Sequence, residues 1–320
     1  MQIRVLTASD IRSALSMREA IDAVEKAYAQ LASGKATMPL RSRVDTDKGI
    51  SLLMPAYLHD SGDFAVKIVS VYGENPKLGL PTVTATVLAM DSETGMPLAL
   101  MEGDSLTALR TGAAGGVAAR YLARKDARTV ALFGAGVQAR SQLQAVLAER
   151  QIQRVLVVGR LPKTIERFCA EVATWPDAPQ VIVAPSPREA VSQADIVLAA
   201  TTTKTPLFDG NDLKPGTHVT GVGSFTPEMQ EIDAVTIDRA RVVVDQREAA
   251  MAEAGDIIIA KATIDAEIGE IVNGTKPGRQ NDDEITFFKS VGLAVQDAVT
   301  AATVLRAAEE KGLGTVIQMS

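Results

Sequence analysis

Gly134-Ala135-Gly136-Val137-Gln138-Ala139 has GxGxxA spacing, between an apolar run, "TVALF", and a helical-looking stretch, "VQARSQLQAVLAE". In that setting the first glycine permits a tight turn and the second lets backbone approach a pyrophosphate. The small third residue lets helix pack on strand, and the helix N-terminus attracts the anion. A purely structural glycine turn would use the same letters. The strand before, the helix after and a second strand, "RVLVVGR", at the right distance favour a dinucleotide site. At the end of that second strand, where an acidic residue would accept a ribose 2′-hydroxyl, stands Arg160 behind Gly159. A guanidinium there suits a 2′-phosphate, so NADP(H) is preferred and NAD(H) stays open; a solvated surface arginine is the alternative.

Three further cations invite chemistry: Arg41 in "MPLRSRV", Lys67 in the apolar strand "FAVKIV", and Arg110 in the small-residue helix "TALRTGAAGG". A lysine flanked by Ala65, Val66, Ile68 and Val69 either sits on the solvated face of its strand or points into a site with an anionic partner. Pattern alone leaves both readings open. The two histidines, His59 and His218, offer no triad. With no HExxH, paired CxxC, DxDxDG or GxSxG pattern, metal-dependent and serine hydrolysis lack support, and no metal is expected.

The chain that must position these groups has 320 residues, 46% hydrophobic and 22% charged, enough for two domains. A net charge of −6 offers no basic footprint for nucleic acid or anionic lipid, which leaves small-molecule chemistry. A single cysteine, Cys169, fits a reducing, cytoplasmic setting, and no apolar run reaches membrane-spanning length.

Residues 8–33 carry apolar positions at helical spacing and predict one or two helices, capped by Ser9 or Ser16. Strands are expected at 50–58, 63–72 and 82–91 in an antiparallel or mixed sheet, followed by an Ala- and Gly-rich helix. From 128 onward strands alternate with helices at 137–149, 163–174 and 187–193, the order of right-handed βαβ crossovers in a parallel sheet. Runs at 217–223, 240–246 and 284–292 extend it. The fold class is therefore α/β, with a doubly wound parallel sheet at 123–293 behind an N-terminal domain at 1–122, to which 294–320 could return.

With these residues assembled, nearly the whole chain resembles the ornithine cyclodeaminase and mu-crystallin family. The markers are "MPLRSR", "LLMPAY", "AVKIVSVY", "GLPTVTATVLAMDSETGMPLALMEG", "LTALRTGAAGGVAARYLAR", "ALFGAGVQARSQLQAV", "PGTHVTGVGSFTPEMQEID" and "FFKSVGLAVQDAVTAA". The resemblance implies a homodimer in which a discontinuous α+β domain, the N-terminal region joined by the C-terminal helix, binds substrate and builds the subunit interface around a Rossmann middle. It implies that Arg41, Lys67 and Arg110 surround a substrate carboxylate, which suits fork-shaped guanidinium groups and an ammonium able to donate a proton. Dinucleotide contacts would fall at Thr111, Gly134, Gly136, Val137, Gln138, Arg160, Thr201, Val222, Gly223 and Val291.

Two departures narrow the expectation. True cyclodeaminases carry a catalytic aspartate at the position of Ser224 and a glutamate at that of Leu52; both acids are missing. Serine at 224 and the "FFKSVG" segment with Lys289 resemble the ketimine reductase branch. The implied activity is NAD(P)H-dependent reduction of a cyclic ketimine, Δ1-pyrroline-2-carboxylate or Δ1-piperideine-2-carboxylate, to L-proline or L-pipecolate. Lys67, or an ordered water near Ser224, would deliver the proton. The alternatives are an alanine-dehydrogenase-like amination of a 2-oxo acid, a cyclodeaminase in which Asp63 or Glu74 replaces the lost acids, and a ligand-carrying crystallin.

Overall fold

The computed structural model describes residues 1–319. After strand β1 (Gln2–Leu6), Thr7 and Ser16 open helices α1 (Ala8–Ala14) and α2 (Met17–Ala32) by the same device. Each hydroxyl accepts from the backbone N–H three residues on, while Asp10 or Glu19 accepts from the cap's own N–H. Ser16 caps as expected. Ser9 lies inside α1, because Thr7 has the acid at the correct offset and Ser9 does not.

A short β2 (Ala36–Thr37) and β3 (Ser42–Thr46) lead into an antiparallel meander, β4 (Gly49–Leu58), β5 (Phe64–Val71), β6 (Val83–Met90) and β7 (Pro97–Glu102). Strand β7 pairs in parallel with β1, so the sheet is mixed. Helix α3 (Gly103–Leu122) follows.

The chain then alternates: β8 (Thr129–Phe133), α4 (Val137–Glu149), β9 (Arg154–Val158), α5 (Pro162–Val172), β10 (Gln180–Val183), α6 (Pro187–Gln193), β11 (Ile196–Ala199) and β12 (His218–Gly221). Next come α7 (Ala234–Arg239), β13 (Ala240–Val244), α8 (Arg247–Glu253), α9 (Gly255–Ala260), β14 (Ala266–Glu267), α10 (Ile268–Val272) and β15 (Ile285–Lys289). All eight strands are parallel, in the order β10-β9-β8-β11-β12-β15-β13-β14. Both faces are covered, so β8, β11, β12 and β15 are buried throughout; β8 and β11 read as nearly continuous apolar runs, whereas β12 and β15 also bury His218, Thr220, Thr286 and Lys289. The strand period divides their side chains. Ala131 and Phe133 enter one core cluster with Val219 and Phe287, whereas Val130 and Leu132 enter the other with Leu143 and Phe168.

Helix α11 (Ala294–Glu310) and strand β16 (Thr315–Gln318) close the chain. Strand β16 pairs with β1, and α11 packs on α2 and across β4, β5 and β6. Two units result, Met1–Arg110 with the residues from Leu293, and Thr111–Gly292. The division falls inside α3, ahead of the change of composition at 123. The second half of that helix belongs with the parallel sheet's unit: Thr111 carbonyl accepts from Gln142 Nε2, and the Arg150 guanidinium donates to the carbonyls of Ala119 and Ala123.

Candidate active site

In the first unit, strand alternation decides what pattern left open. Lys67 shares the α11 side of β5 with buried Ala65, while Ile68 faces outward. A buried ammonium needs a counter-charge, and α11 supplies it. Lys67 Nζ lies 3.0 Å from Asp297 Oδ1, as a hydrogen bond, and 3.0 Å from Oδ2. Arg110 Nε donates to the same Oδ1 at 3.1 Å, and its Nη1 to Gln296 Oε1 at 2.7 Å. Gln296 is latched in turn, its Nε2 donating to the Tyr28 hydroxyl of α2 and its Oε1 accepting from Leu293 N–H.

Two buried cations therefore share one carboxylate. Burial first, then the Arg110 guanidinium, pull the Lys67 ammonium from the ordinary lysine range down to about 8; Asp297 opposes the shift and Arg41 adds to it. Arg41 is half-buried just ahead of β3. Asp104, exposed at the start of α3, is pushed up by burial and by Glu102 and drawn down by Lys67. Sequence reasoning missed Asp297 and Gln296. The available signal was a polar pair, "QD", in an otherwise small and apolar helix, "LAVQDAVTAA", whose first turns are wholly buried.

In the second unit, the expected cofactor positions, Thr111 in α3 excepted, collect at or just beyond the C-terminal ends of parallel strands. Gly134, Gly136, Val137 and Gln138 follow β8; Arg160 follows β9; Thr201 follows β11; Val222 and Gly223 follow β12; Val291 follows β15. Sheet order reverses direction between β8 and β11, the place where such sheets bind ligands. The glycine loop fits a dinucleotide phosphate. Gly134 has φ of +99°, and a Cβ there would sit 2.6 Å from the Ala200 carbonyl oxygen. At Gly136, the N-cap of α4, a Cβ would meet nothing within 4 Å, and Val137 after it is exposed, so space lies open at the helix N-terminus. Arg140 braces the loop from behind, donating to the carbonyls of Ala135 and Gly136 and to Glu171. Arg160 is exposed.

Two buried acids hold the other loops. Asp245 Oδ2 accepts from Ser290 Oγ, Val291 N–H and Gly292 N–H, each at 2.9 Å. Burial pushes its pKa up while these bonds pull it down. Glu231 Oε1 accepts from Thr201 N–H at 2.6 Å and from its hydroxyl at 2.8 Å, and Oε2 accepts from Gly223 N–H at 2.6 Å. One carboxylate thus ties the β11 loop to the β12 loop. Beneath it Asp256 Oδ1 accepts from the backbone N–H groups of Glu231 and Ile232, and Lys289 Nζ lies 3.0 Å from Asp256 Oδ2, close but misaligned as a hydrogen bond.

Ser224 is fully buried in this bracing. Its hydroxyl donates to the Met229 carbonyl at 2.7 Å and accepts from Asp256 N–H at 3.1 Å. Its one proton is committed, so delivering it elsewhere would first break that bond. Of the acids weighed as substitutes, Asp63 pairs with Arg306 of α11, and Glu74 is exposed beside Lys77. His218 is buried between Thr220 and Thr286, and burial drives its pKa well below 6.5. Among the described residues no cluster of His, Cys, Asp and Glu could hold a metal, and no helix is long and apolar enough to cross a membrane.

The model of the ornithine cyclodeaminase/mu-crystallin family matches residues 1–312. The Δ1-pyrroline-2-carboxylate reductase of Bacillus cereus is 36% identical over 324 residues, covering 98% of this chain and 99% of that protein. Among solved structures, the Δ1-pyrroline-2-carboxylate reductase of Thermococcus litoralis in complex with NADH and L-proline is 45% identical with a TM-score of 0.93, covering 98% of this chain and 99% of the other. An archaeal alanine dehydrogenase dimer with bound NAD is 36% identical with a TM-score of 0.93 over 100% of both chains.

Proposed function

The chain belongs to the ornithine cyclodeaminase/mu-crystallin family, and we propose that within it this protein is an oxidoreductase acting on the carbon–nitrogen bond of a cyclic ketimine. It reduces Δ1-pyrroline-2-carboxylate, or its six-membered homologue Δ1-piperideine-2-carboxylate, to L-proline or L-pipecolate. The observation that carries this reading is the unbalanced charge at Asp297, where Lys67 and Arg110 are buried on a single carboxylate. A second anion, the substrate carboxylate, would complete that arrangement. Arg110 offers a planar fork to the carboxylate, and Arg41, near enough to lower the Lys67 pKa, adds positive charge.

Bound at the loops after β8, β11, β12 and β15, a reduced nicotinamide dinucleotide would supply the hydride for the imine carbon. Lys67 then has the remaining task. Its ammonium can pass a proton to the nitrogen as the C=N bond becomes CH–NH, and a value of about 8 keeps it protonated yet willing to donate near neutrality. The sign follows from the acid form being the active one: kcat/KM falls as pH rises through about 8. A pH profile with no basic limb near that value removes Lys67 from the role. Missing acids at Leu52 and Ser224 weigh against ammonia release from ornithine.

Arg160, exposed at the end of β9, supports a preference for NADPH over NADH. The sheet of the first unit supports a homodimer: Ile68, Val83, Leu98 and Leu100 are exposed on β5, β6 and β7. A lone cysteine suits a reducing cytoplasm. Likeness to the alanine dehydrogenase favours a second reading, amination of a 2-oxo acid. Absorbance at the reduced nicotinamide band separates them. NADPH and NADH are each tested with both cyclic ketimines and with pyruvate plus ammonia. Turnover with pyruvate and ammonia alone overturns the ketimine reading.

A further inference from the structure

Asp297 is a charged residue that joins two of the three expected cations. It is buried to within 1% of full exclusion, sits on α11 rather than among the strands, and is, among the described residues, the one carboxylate hydrogen-bonded to both Lys67 and Arg110. Its neighbour Gln296 ties Arg110 to Tyr28, so helix, strand and guanidinium are fixed as one unit. We propose that Asp297 is a positioning residue that acts through Lys67: it holds the lysine side chain in its protonated form on the covered face of β5 and splays Arg110 toward the bound carboxylate. The inference rests on the ketimine reading for what Lys67 does, but not for what Asp297 does to Lys67.

The electrostatic surroundings leave this job to Asp297. The charged groups around Lys67 are Arg110 and Asp104 of α3, Arg41 ahead of β3 and Asp297 of α11. The flanking strands β4 and β6 carry no charged side chain, and α2 contributes the neutral Tyr28 hydroxyl through Gln296. Arg41 and Arg110 both favour the neutral amine, and burial does so more strongly. Asp104 is exposed on the surface, whereas Asp297 is buried. Asp297 is thus the buried opposing charge, and without it the amine would lose its proton at a lower pH.

The test uses the full-length protein with NADPH and Δ1-pyrroline-2-carboxylate. Asp297→Asn should move the basic limb of kcat/KM to lower pH by about one pH unit or more, the scale of one adjacent opposite charge. Asp297→Glu, which keeps the charge, should leave the limb near its original place while lowering kcat. A merely structural role would lower activity at every pH and leave the limb where it was. An unmoved limb in Asp297→Asn overturns the inference, as does an equal shift in Asp297→Glu. Should Asp297→Asn fail to fold, or no ketimine be turned over, the substrate-free protein decides. Side-chain NMR of labelled lysines should then show one lysine nitrogen titrating near pH 8, and in Asp297→Glu it should titrate near the same value. Failure to turn over ketimine refutes the activity alone, and a lysine whose titration ignores the charge at position 297 refutes the role of Asp297 alone.

Discussion

Each unit of this protein buries a cluster of charged side chains, and the two are balanced in opposite ways. In the first unit two cations, Lys67 and Arg110, share the carboxylate of Asp297. In the second, two carboxylates, Glu231 and Asp256, accompany Lys289, and their surplus oxygens are consumed by the backbone N–H groups of Thr201, Gly223, Glu231 and Ile232. Burying a charge is costly, so leftover capacity must be met by something. The carboxylates of the second cluster accept from four backbone N–H groups and so brace loops, although Lys289 Nζ and Asp256 Oδ2 touch only as an ion pair; the first cluster has a surplus cation, which on the proposed function an anion would meet. The sign of the surplus charge, and whether backbone N–H groups take it up, distinguish the two clusters.

Removing Lys67 should break the comparison most severely. Lys67→Met takes away the proposed proton donor and should lower kcat/KM roughly 10²- to 10⁴-fold, the range of a positioned general acid. Steady-state kinetics with either ketimine reads it, and near wild-type activity would show the cluster to be structural. Arg110→Ala should remove the proposed charge-assisted contact with the substrate carboxylate, about 1.5–3 kcal/mol or roughly ten- to a hundredfold in kcat/KM, with the loss in the ketimine KM and none in that of the coenzyme.

The brace should give the reverse pattern. Glu231→Gln keeps the shape but puts an amide where Gly223 N–H needs an acceptor, at about 1–3 kcal/mol for the unmet group. The coenzyme KM should rise about tenfold while the ketimine KM holds. A rise confined to the ketimine KM would erase the contrast between the clusters. A pair of glycine variants sharpens the point at smaller cost. Gly134→Ala meets both a positive φ and the Ala200 carbonyl, and should lower the melting temperature. Gly136→Ala meets open space in the protein and should leave melting unchanged, yet weaken dinucleotide binding measured by calorimetry.

The contrast also explains what could be read from the sequence. The parallel sheet was legible because strands buried on both faces are written as largely apolar runs, and because Gly134 and Gly136 need special backbone and open space. Lys67 was visible as an oddity in "FAVKIV", but its direction depends on which sheet face α11 covers, and that pairing joins residues 230 positions apart. Asp297 was hidden for the same reason: its partners lie far away in sequence, and local composition marks only an anomalous acid. Ser224 was legible as a departure from a family pattern. Its hydrogen bonds to Met229 and Asp256 belong to a loop whose geometry no period encodes. Strands β1 and β16 escaped because each is stabilised by pairing with the other end of the chain.

Calorimetric titration of the NADPH-loaded protein with two flat, unreactive rings, pyrrole-2-carboxylate and pyrrole-2-carboxamide, tests the uncompensated positive charge most directly. The carboxylate should bind at least about tenfold more tightly than the uncharged amide, a gap of about 1.4 kcal/mol or more, and the difference should vanish in Arg110→Ala. Equal affinity for the two rings in the wild-type protein would contradict the account.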